Sequence, residues 1–201
     1  KIILKYFILE DKIMDRIVKR PEFVDYQEAL DTFTEWRKEL NTCIDEQPES
    51  FKDMFSAVKY MAASENTIAM DVLAYYYKTG VPQLLPENYM RYIEWELIAA
   101  ARGNELAIEK VQFLIGYGCD EIIESEDFEI IKYKNDIDDY NVLYVTGKAL
   151  SKIIVRDYLK AFPIDLYNAE DDFKPYKQED FINLRKIIDQ AVPKTIEYLK
   201  S

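Results

Sequence analysis

Apolar positions recur at steps of three and four along most of the chain, the spacing that gathers side chains on one face of an α-helix. From Tyr26 to Ile44, residues Ala29, Leu30, Phe33, Trp36, Leu40 and Cys43 follow this spacing and predict an amphipathic helix. Ahead of it, Lys1 to Arg20 holds one or two apolar-faced segments, with Ile3, Phe7, Ile13, Ile17 and Val18 on one side and Pro21 breaking the run. Gln47-Pro48-Glu49-Ser50 reads as a turn, and Ser50 with Asp53 opens the next helix. Val142 to Phe162 predicts a long helix ended by Pro163, with Leu143, Leu150, Ile153, Ile154 and Leu159 inward. After a loop holding Glu170-Asp171-Asp172 and Pro175, Phe181 to Val192 reads as one helix and the stretch beyond Pro193 as a second, short one.

Between Ser56 and Cys119 one pattern occurs twice, 38 residues apart. Ala62 falls on Ala100, Ala63 on Ala101, Asn66 on Asn104, Ala69 on Ala107, Leu73 on Val111, Tyr75 on Phe113 and Gly80 on Gly118. A period in this range, with small residues, one large apolar position and a closing glycine, marks a stacked helix-turn-helix array. The small residues have a physical purpose, because two helices approach closely only where side chains are short, so Ala99, Ala100 and Ala107 predict helix contacts. Gly103 suits the left-handed end of one helix and Asn104 caps the amides of the next. Glu65-Asn66 takes that place in the first copy without the glycine, which predicts a slightly different turn. Thr79-Gly80-Val81-Pro82 stops the second helix of the first copy, and a loop with Pro86 leads onward.

Trp95, Ala99, Ala100, Gly103, Asn104 and Ala107, followed by Val111 and Gly118, resemble the Sel1-like repeat, a relative of the tetratricopeptide repeat. The first copy keeps the second half of that pattern in Ala69, Leu73, Ala74, Tyr77, Gly80 and Val81-Pro82, and departs from the first half at Ala57 and Glu65. The second copy departs at Gln112, where a small residue is usual. A weaker likeness to the ankyrin repeat, from Gly103-Asn104 to Gly118-Cys119-Asp120, needs extra residues between the glycines and lacks the Thr-Pro-Leu-His signature. The Sel1-like resemblance implies an all-α fold, a short α-solenoid of antiparallel helix pairs. Residues 51-119 then form the two repeats of a single domain over 1-201, with N-terminal helices in 1-50 and an acidic segment plus C-terminal helices in 120-201 as caps.

At 49% hydrophobic content the 201 residues suffice for a sizeable core, and five glycines and seven prolines are few. The excess of 38 acidic over 26 basic residues gives a net charge of -12. Phosphate backbones and anionic membrane surfaces both select clustered Lys and Arg, so nucleic acid and membrane are poor partners and a basic protein is a good one. The opening Lys-Ile-Ile-Leu-Lys-Tyr-Phe-Ile-Leu is too short to span a bilayer and carries no small-residue cleavage site, so no membrane insertion and a cytoplasmic location are expected. Cys43 and Cys119 sit at apolar positions and read as two reduced, partly buried thiols, a disulfide between them being the alternative.

The chain has no histidine, which removes the usual general base, the Ser-His and Cys-His pairs and the imidazole ligands of catalytic metals. No phosphate-cradling glycine loop is present either. Asp136, Asp138 and Asp139 superficially follow a calcium loop, yet Tyr140, Asn141 and Gly147 stand where that loop needs a ligand, a glycine and a glutamate. Glu94 with Glu96, or Glu121 with Glu124, offer carboxylate pairs on helices and read first as exposed faces. No catalytic residue, metal site or cofactor is expected.

A binding role follows instead. Of the sixteen tyrosines, Tyr77 and Tyr92 are expected in the core together with Trp95, and contact residues are sought off that stripe, on the face of the first helix of each copy: Lys59 and Tyr60, then Arg91, Glu94, Leu97 and Ile98. Between Asp120 and Asn141 nine acidic residues meet only Lys132 and Lys134, a net of -7, and Glu124, Glu126 and Asp127 are its candidate contacts. Ile122, Ile123, Phe128, Ile130, Ile131 and Tyr133 interrupt that segment and want burial, so it is no acidic tail. The favoured reading is a non-catalytic scaffold for protein-protein contacts. An acidic inhibitor or immunity protein against a basic toxin or nuclease is the first alternative, and an unrecognised enzyme the second.

Overall fold

The computed structural model describes residues 48–81, 84–161 and 177–201, together with Asp31. The expected N-terminal segments, the helix Tyr26–Ile44 and the loop through Glu170-Asp171-Asp172 lie outside the described residues. Within them the secondary structure is seven α-helices: α1 Pro48–Ala63, α2 Thr67–Thr79, α3 Tyr89–Ala101, α4 Glu105–Ile123, α5 Phe128–Lys134, α6 Val142–Ala161 and α7 Gln178–Lys200. The fold class is all-α, and the extended pairing among these residues is one isolated bridge, Val81 to Leu85. No helix among the described residues is long and apolar enough to cross a membrane. Helix α1 begins at Pro48, where a turn was expected, because a proline in the first turn has no amide to satisfy and its fixed φ suits the helix.

The two copies of the repeat fold alike at their turns. In the first, the amide of Glu65 donates to Ala62 O at 3.1 Å and that of Asn66 to Met61 O at 3.0 Å; in the second, Gly103 donates to Ala100 O at 2.9 Å and Asn104 to Ala99 O at 3.0 Å. This pair of bonds closes a helix around one left-handed residue, here Glu65 at φ 73° and Gly103 at φ 89°. Asn66 then accepts from the Ala69 amide and Asn104 from the Ala107 amide, both at 3.0 Å. The different turn expected at Glu65 is therefore not found. A glutamate adopts the glycine conformation because helix α2 and its cap must start where they do.

The chain divides into two compact units, Lys1–Tyr92 with Pro163–Pro175, and Ile93–Phe162 with Tyr176–Ser201, so the boundary lies inside α3. In the first unit α1 packs on α2, and the Phe55 and Tyr77 rings meet edge to face at 5.6 Å. Ala69, Met70, Leu73, Ala74 and Tyr77 are buried, each large apolar side chain contributing roughly 1.5–3 kcal/mol. Gly80 ends α2 at φ 67°, and a Cβ there would lie 3.1 Å from both Leu85 O and Glu87 N. Asn88 then closes the loop: its amide donates to Tyr77 O at 2.7 Å, and its side chain accepts from the Arg91 amide at 3.0 Å, capping α3.

The second unit is built on α4, α6 and α7, which pack on one another, with α5 on α7. Gly118 was expected to close a helix as Gly80 does, but α4 continues to Ile123. The reason is packing. A Cβ at Gly118 would lie 2.8 Å from Leu150 Cδ2 on α6 and 3.1 Å from Val192 Cγ2 on α7, and one at Gly147 of α6 would lie 2.8 Å from Ile108 Cγ2 on α4. These two glycines let three helices close on each other. Leu150, Ile153 and Ile154 point inward as expected, whereas Leu143 is half exposed because it stands one residue into α6, before the helix reaches the core.

Pro193 does not divide the last helix. Helix α7 runs unbroken from Gln178 to Lys200, with Leu184, Ile188 and Val192 buried before the proline and Thr195 and Leu199 after it. Pro193 itself is exposed, and the Thr195 hydroxyl donates to Ala191 O at 2.8 Å beside it. Burial on both sides outweighs the cost of one missing backbone bond.

Candidate functional site

The expected contact residues on the first helix of each copy are largely enclosed. Lys59, Arg91, Glu94, Leu97 and Ile98 are buried, Leu97 and Ile98 at 3% exposure each, and Tyr60 is half-buried. The charged members are used internally. Glu94 Oε1 accepts the Tyr158 hydroxyl of α6 at 2.7 Å, Lys59 Nζ lies 4.8 Å from the centre of the Phe55 ring, and the neighbouring Glu96 binds Lys110 of α4 at 3.0 Å. Of these six residues Tyr60 keeps the most exposed surface. Tyr77, Tyr92 and Trp95 are buried, in line with their expected core role.

The acidic segment is ordered. It comprises the last turn of α4, a turn at residues 124–127, helix α5 and a second turn leading to Asn141. Ile122, Ile131 and Ile137 are buried beneath it and anchor it by the hydrophobic effect. Two polar fastenings join it to the end of α7. Asn135 Nδ2 donates to Leu199 O at 2.9 Å and Lys134 Nζ donates to Lys200 O, which satisfies two carbonyls that the last turn of a helix leaves open. In return Lys200 Nζ binds Asp127 at 2.9 Å and Glu197 at 3.3 Å, and the Asp127 contact leads in holding the ammonium pKa above its ordinary value.

Of the three candidates in this segment, Glu124 and Glu126 are exposed and Asp127 is half-buried in its pair with Lys200. Exposed beside them are Asp120, Glu129, Asp136, Asp138 and Asp139, with Ile130 half exposed and Tyr133 and Tyr140 at 90% and 99%. Asp138 turns its carboxylate inward, accepting from the Tyr140 amide at 3.0 Å and the Asn141 amide at 2.9 Å, while Asp139 binds Lys132 at 3.1 Å. Of the three carboxylates that superficially follow a calcium loop, Asp138 is thus engaged in the turn before α6 and Asp139 in a surface ion pair with α5. Of the apolar residues expected to be buried in this segment, Ile122 and Ile131 are, whereas Ile130 and Tyr133 face solvent; the third anchor is Ile137, which the pattern had not singled out.

Elsewhere in the unit, the thiol of Cys119 is free and buried. Burial pushes its pKa up to about 11, a hydrogen bond with Thr146 pulls the other way, and the charge of Asp120 adds to the rise. A buried thiol with a raised pKa holds little thiolate at neutral pH. Asp157 is also raised by burial, but the hydrogen bonds and charges of Arg156 at 2.9 Å and Lys194 at 2.6 Å together outweigh this and leave it below the usual carboxylate range. Among the described residues no three Cys, Asp or Glu side chains group as metal ligands.

No family model matches the chain, and neither does any curated protein or any solved structure.

Proposed function

We propose that this protein is a non-catalytic protein-binding module, in which a short Sel1-like α-solenoid of antiparallel helix pairs presents an acidic edge to a basic protein partner. The observation that carries the reading is that edge: exposed Glu124, Glu126 and Glu129 beside Tyr133 and Tyr140, on an element held to α7 by Asn135 and the Lys200–Asp127 pair. Fixed charges steer association and tyrosines supply contact area at low entropic cost, and little ordering is left to oppose binding. The matching turns at Glu65-Asn66 and Gly103-Asn104 support the repeat half of the reading.

A rigid acidic edge also favours a narrower version, an inhibitor that covers the basic site of one toxin or nuclease. One experiment addresses both. The immobilised full chain is exposed to a lysate and eluted stepwise with salt, beside a Glu124→Lys, Glu126→Lys variant that leaves Asp127 and its clamp intact. A single stoichiometric basic protein lost in the variant supports the inhibitor, several partners lost in the variant support the scaffold, and capture unaffected by the reversal removes the acidic edge from the reading.

A further inference from the structure

We infer that the solvent face of α4 is a docking ridge for a basic amphipathic helix of another protein. Helix α4 buries Ala107, Ile108, Val111, Ile115, Gly118, Cys119 and Ile122. The opposite side should be polar in a helix whose only task is to cover a core. Instead Leu106, Phe113 and Tyr117 are 63%, 63% and 55% exposed. At 3.6 residues per turn these positions lie within about 40° of each other and form a line roughly 16 Å long. Single exposed apolar residues are ordinary, but three large ones aligned over three turns form a patch. Ile68, the counterpart of Leu106 in the first copy, is exposed in the same way at 60%.

The charges around the ridge select the occupant. Glu109 and Asp120 flank it on one side and Glu121 on the other. Two cations beside it are paired: Lys110 binds Glu96 at 3.0 Å, and Arg185, whose Cζ lies 5.1 Å from the centre of the Tyr117 ring, binds Asp189 at 3.1 Å. An apolar stripe bordered by Lys and Arg, as on a basic amphipathic helix, matches both the apolar line and its acidic borders. A second copy of this chain fits worse, since it would set carboxylates against carboxylates. The inference rests on the protein-binding reading and adds a second surface and a partner conformation to it.

The test uses the full chain and a fluorescent Lys/Leu/Ala peptide of about 18 residues whose leucines share one helical face. A second peptide has the same composition, reordered so that its leucines are scattered. In about 0.15 M salt the ordered peptide is expected to bind at least about tenfold tighter than the scattered one. Leu106→Ser with Phe113→Ser should reduce that binding by at least about tenfold with helical circular dichroism unchanged, while Ile182→Ser, at an exposed site on α7, should leave it intact. Equal binding of the two peptides would mean charge attraction alone and overturn the ridge, as would full binding by the double variant. Self-association abolished by the double variant would hand the ridge to a second copy and overturn it too. Should the double variant bind no peptide yet capture every lysate partner, the ridge stands apart from the acidic edge. If wild-type chain captures nothing while the ordered peptide still binds selectively, the acidic edge fails and the ridge survives.

Discussion

Glu65 and Gly103 hold the same left-handed place in two turns 38 residues apart, with φ of 73° and 89° and the same hydrogen bonds on either side. The conformation costs a residue with a Cβ roughly 1–2 kcal/mol, and glycine almost nothing. Glu65 is exposed, so Glu65→Gly is expected to stabilise by about 0.5–1 kcal/mol after allowing for the greater freedom of glycine in the unfolded chain. Gly103→Ala should do the reverse and lose more than 1 kcal/mol, since its Cβ would also come within 2.8 Å of the Tyr144 hydroxyl. Urea midpoints with an unchanged slope would register both.

Two glycines on α4 should respond with opposite signs. Gly118→Ala drives a methyl into Leu150 and Val192, and overpacking of roughly 1–3 kcal/mol outweighs the gain in helix propensity. At Gly116 a Cβ meets only the tip of Gln112 at 3.2 Å, so Gly116→Ala should stabilise by up to about 1 kcal/mol. Thermal melts of the two variants decide the matter, and a destabilised Gly116→Ala would contradict the packing described for this helix.

Pro193 interrupts the backbone ladder of a helix that is otherwise continuous. Pro193→Ala restores one amide donor on an exposed face, and the expected gain is about 1–2 kcal/mol once the stiffer unfolded chain of the proline form is counted. Loss of stability on this change would mean that the proline shapes the path of α7 toward α5.

Asp157 has its pKa depressed in the folded state, so the unfolded chain binds more protons between the two values. Its contribution is complete above the ordinary carboxylate pKa and disappears as pH falls through the depressed one. Asp157→Asn should therefore destabilise at neutral pH, and the gap to wild type should narrow on acidification below about pH 4. A gap that stays constant across that range would show that Arg156 and Lys194 do not act through the charge.

Cys119, with its pKa at about 11, should ignore a thiol reagent at pH 8 in the folded protein and react promptly in denaturant. A Cys43→Ser background isolates the signal. In the folded state the raised value also means that the thiol favours folding below its ordinary pKa and that this advantage fades between about pH 9 and 11.

The sequence was most legible where one local rule acted alone. The step of three and four located α6 to within a residue of its end, and Gly103-Asn104 announced both the stop and the cap found there. It was least legible where distant packing overrode a local rule. Gly118 and Pro193 carry the chemistry of helix ends yet sit inside helices: the side chains that close on Gly118, Leu150, Ile188 and Val192, come from helices distant in sequence, and α7 stays continuous through Pro193 with buried residues on both sides of it. Glu65 is the converse case, a residue with no turn preference placed in a turn by its neighbours. The acidic edge fell between these extremes: its charge was plain in composition, but its fastening by Lys134, Asn135 and Lys200 joins positions more than sixty residues apart.

That fastening makes α5 a helix that cannot stand on its own. Seven residues are too few to hold helical form in water, and its partner is the final turn of α7. Fraying at Leu199 and Lys200 therefore loosens the acidic edge in the same event, so amide exchange along α5 should keep pace with that of the last turn of α7. Removing residues 199–201 would leave the carboxylates in the chain while erasing the pattern they make in space.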